Sequence, residues 1–296
     1  MRNATKVGPA RIANALVAGG PLLFCLLILP CTVFAGADTA DQKKEKDAQS
    51  LFAAGQKMFR NSDYSSAVEA FVKYTAIVPD DPRGPWMELK ARCMKFRADS
   101  NADEISGKPQ KLSDAAYAKA MLLAESAIRS AEEKIANDED VGFYQFIQAD
   151  TYGLRGIFRM ANGNIGSALA DAELMKELAK KSSYQDAKYI LGLAEYELSL
   201  KGWLYRLGGI FKGFSSNRND ALRLIHEAEA NNTGPFSDDI RLLMLQILTD
   251  TKRLKDKERL YAEEAFGIKT RDLYGRLKAV YPQNEIVLRY EKSKVK

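Results

Sequence analysis

The sequence predicts an all-α fold, a solenoid of stacked antiparallel helical hairpins, and three observations lead there. Past about Asp41, apolar residues recur at three- and four-residue spacing and no alternating β-branched run appears. Compact polar breaks at 79–85, 99–110, 137–140, 162–164 and 231–235 interrupt that pattern. They are built from Gly, Pro, Asn and Asp, the residues that end helices and open turns. Small residues also return at a matched distance: Gly156 stands twelve positions before Ala168, as Gly55 stands twelve before Ala67.

The first 35 residues read as a targeting segment rather than part of that fold. Arg2, Lys6 and Arg11 precede an uncharged stretch centred on Leu22, Leu23, Phe24 and Leu26 to Leu29, which ends in Val33-Phe34-Ala35. A basic start, an apolar middle and small-x-small at the end is the pattern of a secretory signal. An uncleaved anchor is the rival, because residues 12–37 carry no charge and are long enough to span a bilayer; Pro21 and Pro30 argue against one straight helix there. Lipidation at Cys31 is disfavoured by Pro30, since a lipoprotein signal places Gly, Ala or Ser before the cysteine. A polar linker is expected over 36–47, the helical domain over 48–290 and a basic tail over 291–296.

Within the domain, the first hairpin is the clearest. It runs Leu51-x-x-Ala54-Gly55-x-x-Met58, then Tyr64, Ala67-x-x-x-Phe71 and Pro79. That is the tetratricopeptide pattern: small residues where two antiparallel helices touch, a bulky residue in the seam, and a proline ending the unit. A second hairpin carries Tyr152, Arg155-Gly156, a turn at Asn162-Gly163-Asn164, then Ala168 and Ala172. A third opens at Lys188-x-x-Leu191-Gly192-x-x-Glu195, but its second helix, Ala221-x-x-x-Ile225-x-x-Ala228, comes seventeen residues later than the period predicts. Fainter first helices are Trp86-x-x-Leu89-Lys90-x-x-Cys93 and the run 240–248, and Tyr274, Leu277 and Pro282 suit a closing unit.

Residues 151–199, the run 215–230 and the tail Val280-Tyr281-Pro282-Gln283-Asn284 resemble a group of tetratricopeptide proteins from bacterial envelopes. Members of that group carry a signal, a Tyr-Gly-Leu-Arg-like first helix and a hydrophobic insertion before an Ala-Leu second helix. The resemblance covers about the C-terminal half and its motifs are structural, so it implies a fold and an exported, periplasmic location but no active site. The departure lies at 201–214, where the group has a proline-rich aromatic insertion. Here Trp203, Leu204, Tyr205, Leu207, Ile210, Phe211 and Phe214 alternate with Lys201, Arg206, Lys212 and four glycines. An elongated hairpin tip, a lip resting on a membrane surface and an aromatic grip on a partner are the three readings of that segment.

Charge and motif content narrow the function classes. Of 44 Lys and Arg, three fall in the first 35 positions, where no acid stands, and the chain has 39 Asp and Glu in all. The remainder is close to neutral, which gives no electrostatic case for a nucleic-acid partner. Beyond the targeting segment Cys93 is the single cysteine and reads as a buried small hydrophobe, and His226 is the single histidine, so no His- or Cys-based metal site is expected. Neither a phosphate loop nor a G-x-S-x-G elbow occurs, and the carboxylate pairs Asp80-Asp81, Glu132-Glu133 and Glu263-Glu264 are neighbours that point apart on a helix. The expected function is non-catalytic and cofactor-free: a protein or peptide held in a concave groove lined by first helices. Gln56, Phe59, Arg60, Tyr189, Tyr196 and Glu197 are the candidate groove residues, with Trp203 and Tyr205 in the insertion; the alternative is a membrane-associated structural protein anchored by 201–214 or by the N-terminus.

Overall fold

The computed structural model describes residues 40–106, 112–199, 217–230, 236–249 and 256–294. The chain divides into two units, Met1–Asp38 and Thr39–Lys296. The first lies outside the described residues, and with it the signal reading; the insertion 201–214 lies outside them too. Twelve helices and no strand occur among the described residues of the second unit.

Helices α1 (Ala40–Arg60) and α2 (Tyr64–Ile77) form the first hairpin, followed by α3 (Arg83–Ser106) with α4 (Asp114–Ala136) and α5 (Val141–Ala161) with α6 (Ile165–Lys181). Helix α7 (Ala187–Ser199) pairs with α8 (Arg218–Ala230). Each second helix also packs on the first helix of the next pair, so α2 meets α3, α4 meets α5 and α6 meets α7. The last four, α9 (Ser237–Thr249), α10 (Asp256–Phe266), α11 (Thr270–Val280) and α12 (Glu285–Lys294), gather around α9.

Two of the polar breaks, those at 137–140 and 162–164, supply helix caps, and Asp63 and Ser113 supply two more outside them. Asp63, Ser113, Asp140 and Asn164 each accept a hydrogen bond from the backbone N–H three residues on, satisfying donors that open helix ends leave free. Gly163 turns the α5–α6 corner with φ of 79°, a conformation that costs glycine little. The proline-rich break behaves as its chemistry demands: α2 ends at Ile77 before Pro79, and Pro85 sits in the first turn of α3, where it blocks no helical bond.

The paired small residues sit at corresponding points of separate hairpins. A β-carbon built on Gly55 would lie 2.7 Å from the Phe71 ring; on Gly156, 3.4 Å from the Ala168 carbonyl; on Gly192, 2.7 Å from Ile225 and 3.0 Å from the Ala221 carbonyl. Each glycine therefore faces the Ala of its partner helix or the bulky residue one turn beyond. The α7–α8 pair keeps this register although the chain between the two helices is eighteen residues long, against three between α5 and α6.

Two boundaries differ from expectation. Helix α1 begins at Ala40, inside the stretch read as linker, and α3 runs to Ser106 through the break expected from Asp99. The reason is local. The 99–106 segment contains Asp, Ser and Asn but no Gly or Pro until Gly107 and Pro109, and those polar residues weaken a helix without ending it.

Candidate functional site

The first helices of the hairpins converge on one inner seam. Arg60 closes α1, and its guanidinium Nε donates to Asp239 of α9 at 2.9 Å. From α3, the buried Trp86 indole donates to Asp150 of α5 at 2.8 Å, and the Lys90 ammonium reaches the same carboxylate oxygen at 3.1 Å. One turn pair further along α3, Arg97 donates to Glu197 of α7 at 3.1 Å. Phe236, just before α9, lies 5.3 Å from the Trp86 ring and 5.5 Å from Phe146 of α5.

Lys90 is the centre of this arrangement. Its side chain is 9% exposed, and the ammonium lies 5.4 Å over Trp86, 5.9 Å over Tyr189 and 5.9 Å over Phe236. Burial works against its charge, but Asp150 beside it, with Tyr189 and Asp239 beyond, outweighs that and raises its pKa. The same enclosure acts on its neighbours. Burial first, with Asp150 and Asp239 adding, pushes the Tyr189 phenol up to about 12 against the opposing pull of Lys90, and burial pushes the Cys93 thiol up to about 11. A cation held by one carboxylate and three aromatic faces is an anchoring arrangement.

A second junction closes the seam. The Asn284 side-chain amide donates to the Arg60 carbonyl at 2.6 Å, while its oxygen caps α12 through the Ile286 N–H; the Glu285 N–H donates to the Ser62 hydroxyl at 3.0 Å. The first turn of α9 and the start of α12 thus lie against α1 and α3, and they meet through side chains more than through close backbone approach.

The expected groove residues fall into three groups. Arg60, Tyr189, Tyr196 and Glu197 are brought to the seam or its border, but Tyr189 and Tyr196 are only 8% and 4% exposed, and Arg60 and Glu197 are engaged in the ion pairs above. Gln56 and Phe59 are half-buried, and Phe59 packs its ring 5.6 Å from Tyr64. Trp203 and Tyr205 lie outside the described residues. Sequence reasoning missed Asp150, Phe236 and Asp239, and took Trp86 and Lys90 for helix markers only; a lysine inside the apolar run Trp86, Met87, Leu89, Ala91 was the available signal.

Elsewhere, a surface depression of about 360 Å³ opens beside α1 and α2, lined by Lys44, Ala48, Tyr74, Ile77, Val78 and Arg83. Its Arg83 is already committed to Asp81, donating from Nε at 2.8 Å. Asp171 of α6 is buried at 1% and takes both Arg155 at 2.6 Å and Arg159 at 2.8 Å from α5, a pairing that ties one hairpin together. Among the described residues no group of three or more His, Cys, Asp or Glu side chains is placed to hold a metal ion, and no helix is long and apolar enough to cross a membrane. No family model and no curated protein matches the chain.

Proposed function

We propose that the chain is an exported, non-catalytic helical-repeat scaffold of the tetratricopeptide kind that binds a protein or peptide in the bacterial envelope. The observation that carries the repeat reading is the recurring glycine contact: Gly55 on Phe71, Gly156 on Ala168, Gly192 on Ile225 and Ala221. Small residues at corresponding places let these three hairpins pack alike, and stacked hairpins present extended surfaces of the kind repeat proteins use for partners. The N-terminal pattern supports export. Crosslinking in the native envelope, followed by identification of what co-purifies, tests the reading. Recovery of a reproducible protein partner supports it, and a chain that crosslinks to nothing under conditions where control scaffolds do counts against it.

A second reading places the protein on a membrane through 201–214 or an uncleaved N-terminus. What favours it is that α7 and α8 pair in register although eighteen residues stand between them in sequence, against three between α5 and α6. The apolar and cationic residues of 201–214 suit a lipid interface. Fractionation separates the two: release by salt or osmotic shock favours the soluble scaffold, and retention until detergent, lost on deletion of 202–214, favours the membrane-bound form.

A further inference from the structure

The inner seam is occupied by the chain's own C-terminal part, and the occupant has a definite chemistry. The turn entering α9 delivers Phe236 onto Trp86 and Phe146, and three residues later Asp239 onto Arg60. The receiving side is supplied by helices α1, α3 and α5. Phe236 is 2% exposed and Asp239 9%. An aromatic ring in an aromatic slot, followed by a carboxylate on a guanidinium, is how a groove captures a peptide anchor.

We propose that this seam is a peptide-binding surface held in a self-occupied state, and that its external partner carries an aromatic residue three positions before a carboxylate, matching Phe236 and Asp239. This rests on the scaffold reading and specifies its partner class and regulation. The receiving surface sets the requirement on both counts. Arg60 supplies the cation that meets the carboxylate, Lys90 being balanced by Asp150, and Trp86, Phe146 and Tyr189 make the surface aromatic. A basic or purely aliphatic segment would fit neither feature. The α12 junction, Asn284 on the Arg60 carbonyl and Glu285 on Ser62, secures the occupied state from the other end. Displacement re-covers the receiving surface with like groups but sends the displaced Phe236, 2% exposed in the occupied state, into solvent, so the partner must bind more tightly than the internal segment.

The test uses the full chain and a fluorescein-labelled peptide of sequence 236–243. Asp239→Asn weakens the internal occupant while leaving the receiving residues intact. Expected are saturable binding of the peptide to D239N, at least ten-fold tighter than to the parent, and at least ten-fold weaker binding of the peptide carrying Asn in place of Asp239. Adding Arg60→Ala to D239N abolishes binding. Alkylation of Cys93, buried on α3 one turn beyond Lys90, is read by peptide mass spectrometry and accelerates at least ten-fold in D239N. Asn284→Ala, which loosens the other junction, is the second opening variant. Equal binding of the two peptides, absence of binding to a folded D239N, or Cys93 protected as in the parent would overturn the proposal. Failure of both variants to fold would also overturn it, because a turn indispensable to the fold is not exchangeable. If envelope crosslinking still recovers a partner while the peptide fails, the scaffold reading stands and its partner binds another surface.

Discussion

Alanine at Gly192 and at Gly156 separates the packing argument from helix propensity. Both glycines lie inside first helices, so each substitution gains about 1 kcal/mol of helix propensity. At Gly192 the new methyl would stand 2.7 Å from the Ile225 side chain, 3.0 Å from the Ala221 carbonyl and 3.0 Å from the Ile225 nitrogen. Two of those three are backbone atoms of α8, which move only if the whole helix moves. Overpacking of this kind costs about 1–3 kcal/mol, and rigid neighbours place it in the upper half, so the net loss is about 1–2 kcal/mol. For a domain of this size that lowers Tm by about 3–6 °C. At Gly156 the nearest atoms stand at 3.4 and 3.6 Å, close to ordinary contact, and the propensity gain survives. G156A is expected to be neutral or stabilising by up to about 1 kcal/mol. Thermal unfolding followed by far-UV circular dichroism reads both. A G192A variant as stable as the parent would mean that α7 and α8 do not approach as described; a G156A variant as damaged as G192A would mean that these distances do not govern the seam.

Three further outcomes are expected. Asp171→Ala strands Arg155 and Arg159 and costs about 3 kcal/mol, at the low end for a buried pair because both guanidinium groups retain 14% and 23% exposure; urea unfolding measures it. Burial pushes the Asp81 carboxyl up, but hydrogen bonds from Arg83 and Tyr74 outweigh it and hold the pKa below its ordinary 3.8. The stability this supplies is complete above the unfolded value and fades as pH falls through the folded one. The difference in unfolding midpoint between parent and Asp81→Asn is therefore greatest at neutrality and shrinks below about pH 4. For Cys93, a thiol pushed up to about 11 from 9.0 has roughly a hundred-fold less thiolate near neutrality; maleimide labelling in the native protein should run at least about a hundred-fold slower than in urea, and a comparable rate would contradict its burial.

The hairpins were legible because their determinants are local. Gly55 with Ala67 and Gly156 with Ala168 are separated by one loop, and the caps at Asp140 and Asn164 sit in the turns themselves, so period and turn chemistry carry them. The end of α3 was misjudged because Asp, Ser and Asn are indifferent inside a helix and decisive only beside Gly or Pro. The seam was half legible. Arg60 and Tyr189 were placed on the right helices, yet their partners come from Asp239 and Lys90, far away in sequence, and no spacing rule links residues that meet only after every hairpin has stacked. Lys90 shows the limit best: in a linear pattern it reads as a surface charge, and only Asp150 and three rings from other helices make its burial tolerable.

The contacts that join Arg60 to Asp239, Arg60 to Asn284 and Ser62 to Glu285 span 179, 224 and 223 positions of chain. Hairpins form from neighbours and assemble quickly, whereas bonds across such spans wait for everything between them. During synthesis, the ribosome finishes α1 through α8 before it has made the residues that complete these bonds. A nascent or C-terminally clipped chain therefore lacks the Phe236 ring over Trp86, Phe146 and Lys90 and the carboxylate on Arg60, which leaves that side of the seam open to chaperones and proteases until the last sixty residues arrive.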